Sequence, residues 1–167
     1  MSGKSNFVGA LRIGHGYDVH AFAPGRKLIL GGVEIPHTQG LLGHSDADVL
    51  AHALADAILG AVRGGDIGKL FPDDDPAYEG ADSLKLLARV IEVAREAGFE
   101  LVDADCTVAA QAPKLAPYRE EMRARLARAC SVGVSQVGVK ATTTERLGFV
   151  GREEGVAAWA VVIMQAV

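Results

Sequence analysis

Between Val49 and Ile58, apolar residues return at steps of three and four. Val49, Ala53 and Ala57 form one line of small side chains, with Leu50, Leu54 and Ile58 beside it, so the segment predicts an amphipathic helix. Ser45 stands ahead of it as a candidate cap for the Asp48 amide. Asp48 can answer toward Ser45 as an aspartate version of the capping box, and Gly60 to Gly65 supplies the stop. A second helix is predicted to start near Asp82 or Ser83, carry Leu84, Leu87, Ile91 and Ala94 inward, and end at Gly98. A third opens at Pro117 and carries Met122, Leu126 and Ala129.

Elsewhere the period falls to two. An extended segment begins at Leu11 to Ile13, and Leu28 to Pro36 reads as a short hairpin turning at Gly31 and Gly32. Further strands are predicted from Leu101 or Ala104 through Ala109, along Val137, Val139 and Ala141, and from Val156 to Met164. Helices interleave with strands, but the early hairpin argues against a purely parallel sheet. The expected fold is therefore α+β, a mixed β-sheet covered by helices. The glycine- and proline-rich stretch from Gly64 to Pro76 reads as a long loop, as does Gln111 to Pro117.

At 167 residues the chain is expected to form one domain that buries roughly 70% of its extended surface. The domain is placed at residues 11–167, behind a loose polar tail over residues 1–10. A formal charge of −4, with both signs mixed, gives no electrostatic case for nucleic acid or an anionic membrane. Apolar runs such as Val156 to Val162 are too short to span a bilayer. The start of the chain lacks a cationic, apolar leader, which predicts that it is not secreted. Cys106 and Cys130 form no CxxC pair, so both are expected to be reduced and structural, as in a cytoplasm.

Three residues change the picture from a generic domain to a candidate metalloenzyme. Asp18 and His20 are separated by two positions on an extended segment, so they point to one side. His52 occupies a polar line of the first helix, between Asp48 and Asp56. One carboxylate and two imidazoles are the ligand set of a catalytic zinc with an open position, although other divalent metals accept the same donors. His15 lies on the same segment, but the flanking Gly14 and Gly16 leave its direction undetermined.

Other polar groups keep two readings. His44, Ser45 and Asp46 precede the first helix, where His44 can bind a phosphate or move a proton, or simply belong to a cap. Asp66 to Gly68 and Phe71 to Asp75 fit a ligand loop or a solvated acidic turn. Thr142, Thr143 and Thr144 end a strand beside Glu145. Their hydroxyls can hold phosphoryl oxygens, with a divalent cation between phosphate and Glu145. Lys140 and Arg146 can offset phosphate charge or serve as surface ions. No P-loop or dinucleotide fingerprint is present, so neither ATP use nor a Rossmann site is expected.

The motifs RIGHGYDVHAF, GLLGHSDADVLAHALADAILGA, GDIGKLFPDDDPAYEGADS, AQAPKLAPY and KATTTERLGF follow one another in this order. Together they resemble the 2-C-methyl-D-erythritol 2,4-cyclodiphosphate synthase family of the non-mevalonate isoprenoid pathway. The resemblance runs from Arg12 nearly to the end. It implies a cytoplasmic homotrimer with active sites between subunits, a CMP-forming phosphorus–oxygen lyase acting on a cytidine diphosphate-linked substrate. It assigns zinc to Asp18, His20 and His52, and a second divalent ion, magnesium or manganese, to Glu145. His44 and Thr143 match catalytic positions that stabilise the transition state. Substrate positions are Asp18, Val19, His20, His44 and Ser45; Asp66, Ile67 and Gly68; and Phe71, Pro72, Asp73, Asp74 and Asp75. The cytidine side takes Ala110, Gln111, Ala112, Pro113, Lys114, Leu115 and Ala116. Thr142, Thr143, Thr144, Glu145, Phe149 and Arg152 complete it. Family members often carry a glutamate on the last strand near the threefold axis, where this chain has Trp159. Trp159 is expected to pack in the core or an interface, the alternative being that it fills an apolar cavity on that axis.

Overall fold

Two glycines on the first strand decide how the first helix lies. In the computed structural model, which describes residues 10–72 and 74–167, strand β1 (Leu11–Ala23) turns its even-numbered residues inward. A Cβ on Gly14 would stand 1.8 Å from the Ala57 carbonyl oxygen, and one on Gly16 would stand 1.9 Å from that of Ala53. Helix α1 (Val49–Val62) therefore rests its backbone directly on the strand, with Ala53, Ala57 and Ala61 as thin spacers. The predicted small-residue line is this seam.

Four further strands extend β1 into a mixed sheet. In space the order is β4 (Gly40–Leu41), β1, β7 (Gly155–Ala166), β5 (Phe99–Ala109) and β6 (Val137–Thr142). Only the β5–β6 pair is parallel, joined through helix α4 (Arg119–Ala129); β1–β4, β1–β7 and β5–β7 are antiparallel. The predicted hairpin, β2 (Leu28–Leu30) with β3 (Val33–Ile35), forms a separate two-stranded sheet. Helices α1, α3 (Ser83–Glu96) and α4 cover one face of the main sheet, and the core lies between. Leu87, Ile91, Ala94, Met122 and Leu126 are buried as the sequence predicts, whereas Leu84 and Ala129 lie at its margin. The fold is the expected α+β layer. Residues 1–9 of the expected tail lie outside the described residues.

Three local expectations need correction. Ser45 is not the cap of α1: Asp48 is, accepting from the Leu50 and Ala51 amides. The same buried carboxylate accepts from Gly31 and Gly32 at 2.9 and 2.6 Å, so it fastens the hairpin turn to the helix start. The capping-box reading failed because a distant turn offers Asp48 more donors than Ser45 can. Second, the stretch from Gly64 to Pro76 is not wholly irregular. It holds one helical turn, α2 (Ile67–Leu70), capped by Asp66, and a further tight turn at Pro76–Tyr78. Third, the last short helix, α5 (Gly148–Gly151), was not anticipated; it begins at Gly148, whose φ of 68° suits glycine.

Among the described residues, no helix covers the opposite sheet face. Leu11, Ile13, Tyr17, Val19, Trp159, Val161 and Ile163 are all exposed there. Trp159 stands opposite Tyr17 in the β1–β7 register, with ring centroids 5.3 Å apart. It is thus outside the core of this chain.

Replacing Gly16 with alanine drives a methyl group into the α1 backbone. The expected cost is about 3 kcal/mol, visible as a lower urea midpoint. A midpoint equal to that of the parent protein would show that the strand–helix seam can open freely.

Candidate active site

Because β1 presents alternate residues to α1, Asp18 and His20 follow Gly14 and Gly16 on the inner face. His52 projects toward them from the first half of the helix. His20 Nε2 and His52 Nδ1 stand 3.0 and 3.1 Å from Asp18 Oδ2, and 3.2 Å from each other. One donor atom from each residue fits within a 4.8 Å group, the spacing of ligands around a single ion. The predicted trio does converge. His15, by contrast, is exposed on the other face.

Proton counting fixes which ring nitrogen of His20 is free. Its Nδ1 lies 2.7 Å from the Leu42 carbonyl oxygen, which can only accept, so Nδ1 carries the hydrogen; Nε2 donates to Asp18 in the protonated ring and keeps its lone pair only in the neutral one. This backbone contact is the usual way a ligating imidazole is oriented. Burial works to raise the Asp18 carboxyl, but hydrogen bonds from His20 and His52 outweigh it and hold the group at about 2. Burial also works to lower His20, and its bond to Asp18 reverses that, leaving the imidazole above its ordinary value.

A cavity of about 190 Å³ opens over the trio. It is lined by Asp18, His20, Gly43, His44, Ser45, His52, Ile67, Gly68, Phe71, Tyr78 and Leu86. His44 Nε2 lies 3.1 Å from the Asp75 carbonyl oxygen and donates to it, bridging the helix entrance and the following loop. Asp56, one turn beyond His52, accepts from the Ile67 amide at 2.7 Å and so holds α2 at the rim. Asp66 is exposed and accepts from Lys69, while Asp75 accepts from Ala77. Pro72 and Asp74 are exposed on the same loop, and Asp73 lies outside the described residues. The side chain of Val19 points to the opposite sheet face.

The remaining candidates assemble elsewhere. Ala110, Gln111, Pro113, Lys114, Leu115, Ala116, Thr142 and Thr143 line a second cavity of about 180 Å³, and Ala112 sits within the same loop. Gln111 accepts from the Arg146 amide at 3.1 Å and pins the turn after β6. There Thr143 Oγ1 donates to Glu145 at 3.0 Å, and Thr144 Oγ1 to the Leu147 carbonyl at 2.7 Å. Phe149 packs on Ala109 and Ala157, whereas Arg152 pairs with Glu154 at 2.8 Å. Lys140 is engaged by Asp105, as a surface ion pair. Asp18 is level with Ala158, Val108 and Ala141 across the sheet. Three strand spacings, about 14 Å, therefore separate the trio from the threonine turn within one chain.

Residues 11–165 match the YgbB family. The chain belongs to the YgbB family. Among relatives of this family member, the 2-C-methyl-D-erythritol 2,4-cyclodiphosphate synthase of Geobacillus kaustophilus is 64% identical over 154 residues. That match covers 92% of this chain and 98% of the relative. The bifunctional IspDF of Campylobacter jejuni aligns with a TM-score of 0.92 at 46% identity, covering 95% of this chain and 43% of that longer one. A CDP complex of IspF from Plasmodium falciparum aligns at 0.82 with 30% identity, covering 96% and 99%.

Sequence reasoning missed Ser83 as part of this site. Its buried hydroxyl lies 2.9 Å from His52 Nε2 and donates to Asp46. In the sequence Ser83 marked only a helix start, and nothing in a separation of 31 residues signals the meeting.

The depressed Asp18 carboxyl gives the metal-free protein an acid limb. A group held below its unfolded value of 3.8 contributes its full stability above that pH and loses it as the pH falls through about 2. The contribution is on the order of 2 kcal/mol, and Asp18→Asn should remove it. Denaturant midpoints of the zinc-free protein, followed from near neutrality into acid, check this. Parallel curves for parent and variant would contradict it.

Proposed function

We propose that this chain cyclises 4-diphosphocytidyl-2-C-methyl-D-erythritol 2-phosphate to 2-C-methyl-D-erythritol 2,4-cyclodiphosphate and releases CMP. The observation that carries the reading is the convergence of Asp18, His20 and His52 beneath a cavity, in a chain 64% identical to a synthase of that name. A zinc ion held by those three atoms would supply Lewis-acid polarisation of a phosphoryl oxygen. Magnesium or manganese at Glu145 would neutralise the neighbouring phosphates.

The chain's own residues do the positioning. The 2-phosphate oxygen attacks the β-phosphorus, the bond from that phosphorus to the bridging oxygen breaks, and CMP departs with the electron pair. Both reacting groups belong to one substrate, so catalysis consists largely of folding it until attacking and leaving oxygens align. Asp66 to Gly68 and Phe71 to Asp75 hold the methylerythritol end against Ser45. The His44 Nε2–H, which now meets a carbonyl, turns to a phosphoryl oxygen, and the Thr143 hydroxyl donates to another. Ala110 to Ala116 receive the cytidine, with Thr142, Thr144, Phe149 and Arg152 around the diphosphate.

Two observations favour a homotrimer whose sites lie between subunits. The trio and the threonine turn are about 14 Å apart in one chain, too far to grip adjacent oxygens of one diphosphate. The exposed apolar face of β1 and β7, with Tyr17 and Trp159 at its centre, offers the surface through which copies meet. Free, buried Cys106 and Cys130, both thiols pushed up to about 12 by burial, fit a reducing cytoplasm. Among the described residues no helix is long and apolar enough to cross a membrane.

Incubation with the cytidyl substrate, zinc and magnesium should yield cyclic diphosphate plus CMP; a linear bisphosphate plus CMP would mean hydrolysis instead. Subunit sharing is tested by mixing two inactive variants, His52→Ala and Thr143→Ala, after dissociation and reassembly. Random trimers should regain about a quarter of the parental sites. No recovery from a mixture that native mass measurement shows to be hybrid would refute the shared site. Glu145→Gln should keep its zinc yet require more magnesium for half-maximal rate, and an unchanged magnesium response would remove Glu145 from that role.

A further inference from the structure

The proton count that fixes His20 has a longer counterpart at His52. Asp46 Oδ1 accepts from the Ser83 hydroxyl and from the Asp48 amide at 3.2 Å, while Oδ2 accepts from the Ser83 amide at 3.1 Å. A carboxylate only accepts, so the single Ser83 proton is committed to Asp46. Ser83 Oγ then has only lone pairs to offer His52 Nε2 at 2.9 Å, and Nε2 must carry the hydrogen. In the neutral ring Nδ1 is then the bare nitrogen, facing Asp18 and the His20 nitrogen. Ser45 Oγ, itself accepting from the Ala47 amide, closes the cluster 3.2 Å from Nε2 and 3.4 Å from Ser83 Oγ.

We propose that Asp46 and Ser83 form a positioning relay that imposes the metal-binding tautomer on His52. This rests on the reading of Asp18, His20 and His52 as the metal centre. Ser83 is buried, 1% exposed, and Asp82 already caps α3, so its hydroxyl is free for this role. The relay also crosses a seam: Asp46 donates its amide to the Ala81 carbonyl, and Gly80 donates to that of His44, at 3.0 and 2.8 Å. The bend before α1 and the end of the substrate loop are thereby locked together beside His52. The positioning of a metal ligand and the placement of Tyr78 over the cavity thus share one junction.

Two readouts on the zinc-free and zinc-titrated trimer test the relay. Competition with a chromophoric chelator gives zinc affinity, and imidazole ¹⁵N shifts of His52 in the zinc-free protein give its tautomer. Ser83→Ala should weaken zinc binding about 10- to 100-fold and replace the pure Nε2–H signature by a mixture. Ser83→Thr, which keeps the hydroxyl, should restore both. Should Ser83→Ala not fold, Asp46→Asn reads the same two signals and should move them the same way. Unchanged affinity, or weakened affinity with an unchanged tautomer, overturns the relay while leaving the metal centre intact. Equal zinc affinity for the parent and His52→Ala would instead fell the metal-centre reading, and the relay with it.

Discussion

The close approach of α1 to β1 is the constraint on which the site depends. Helix and sheet layers ordinarily pack about 10 Å apart, kept so by side chains on both surfaces. Here Gly14 and Gly16 remove them from the strand, and Ala53, Ala57 and Ala61 thin the helix. His52 belongs to that helix and Asp18 and His20 to that strand, so the separation of the two backbones sets the separation of their side chains. Imidazole and carboxylate reach only a few ångströms from their Cα atoms. A bulkier seam would part them beyond the reach of one ion.

Bringing a carboxylate and two imidazoles together under partial burial carries an electrostatic consequence. Asp18 keeps its negative charge because both rings, in their protonated forms, donate hydrogen bonds to it, and His20 in turn holds a proton more readily than a free imidazole. A divalent cation must compete with protons for those same lone pairs, so its affinity rises with pH through the histidine range. The Leu42 carbonyl and the Ser83 hydroxyl occupy the far nitrogens, so the near ones face Asp18. In the proposed metal centre, orientation would therefore precede the metal rather than follow from it.

Much of this was legible along the chain where the signal is local. Alternation placed Asp18 and His20 on one side, and the same rule, applied to β7, sends Trp159 outward. Helical steps of three and four identified the inward stripe of α1 and its small-residue line, but not the close contact that the line makes. The cap was misread because Ser45 and Asp48 satisfy a local pattern, while the donors that claim Asp48 come from Gly31 and Gly32, far back in the sequence. Ser83 was invisible for the same reason. A hydroxyl at a helix start carries no mark of what it faces, and only the junction of the 44–46 segment with residues 80–83 brings it to His52. The metal trio was legible from donor types and spacing, and the resemblance added the second ion and the substrate contacts.

The division of the site across the sheet follows from topology. In one row of the sheet, Asp18 on β1 and Ala141 on β6 are separated by β7 and β5, and neither strand can be removed without opening the core. A single copy therefore holds the cavity over Asp18, His20 and His52 at one place and the cavity lined by Gln111, Lys114 and Thr143 at another. No side-chain motion closes three strand spacings, and a rearranged sheet would expose the buried faces of Ala158, Ala160 and Val162. In the proposed trimer a second copy, docked by the uncovered face of β1 and β7, would join the halves without disturbing either core. The same strands would then serve twice: inward they seat the helix that aims His52, and outward they would supply the surface through which another subunit brings Thr143.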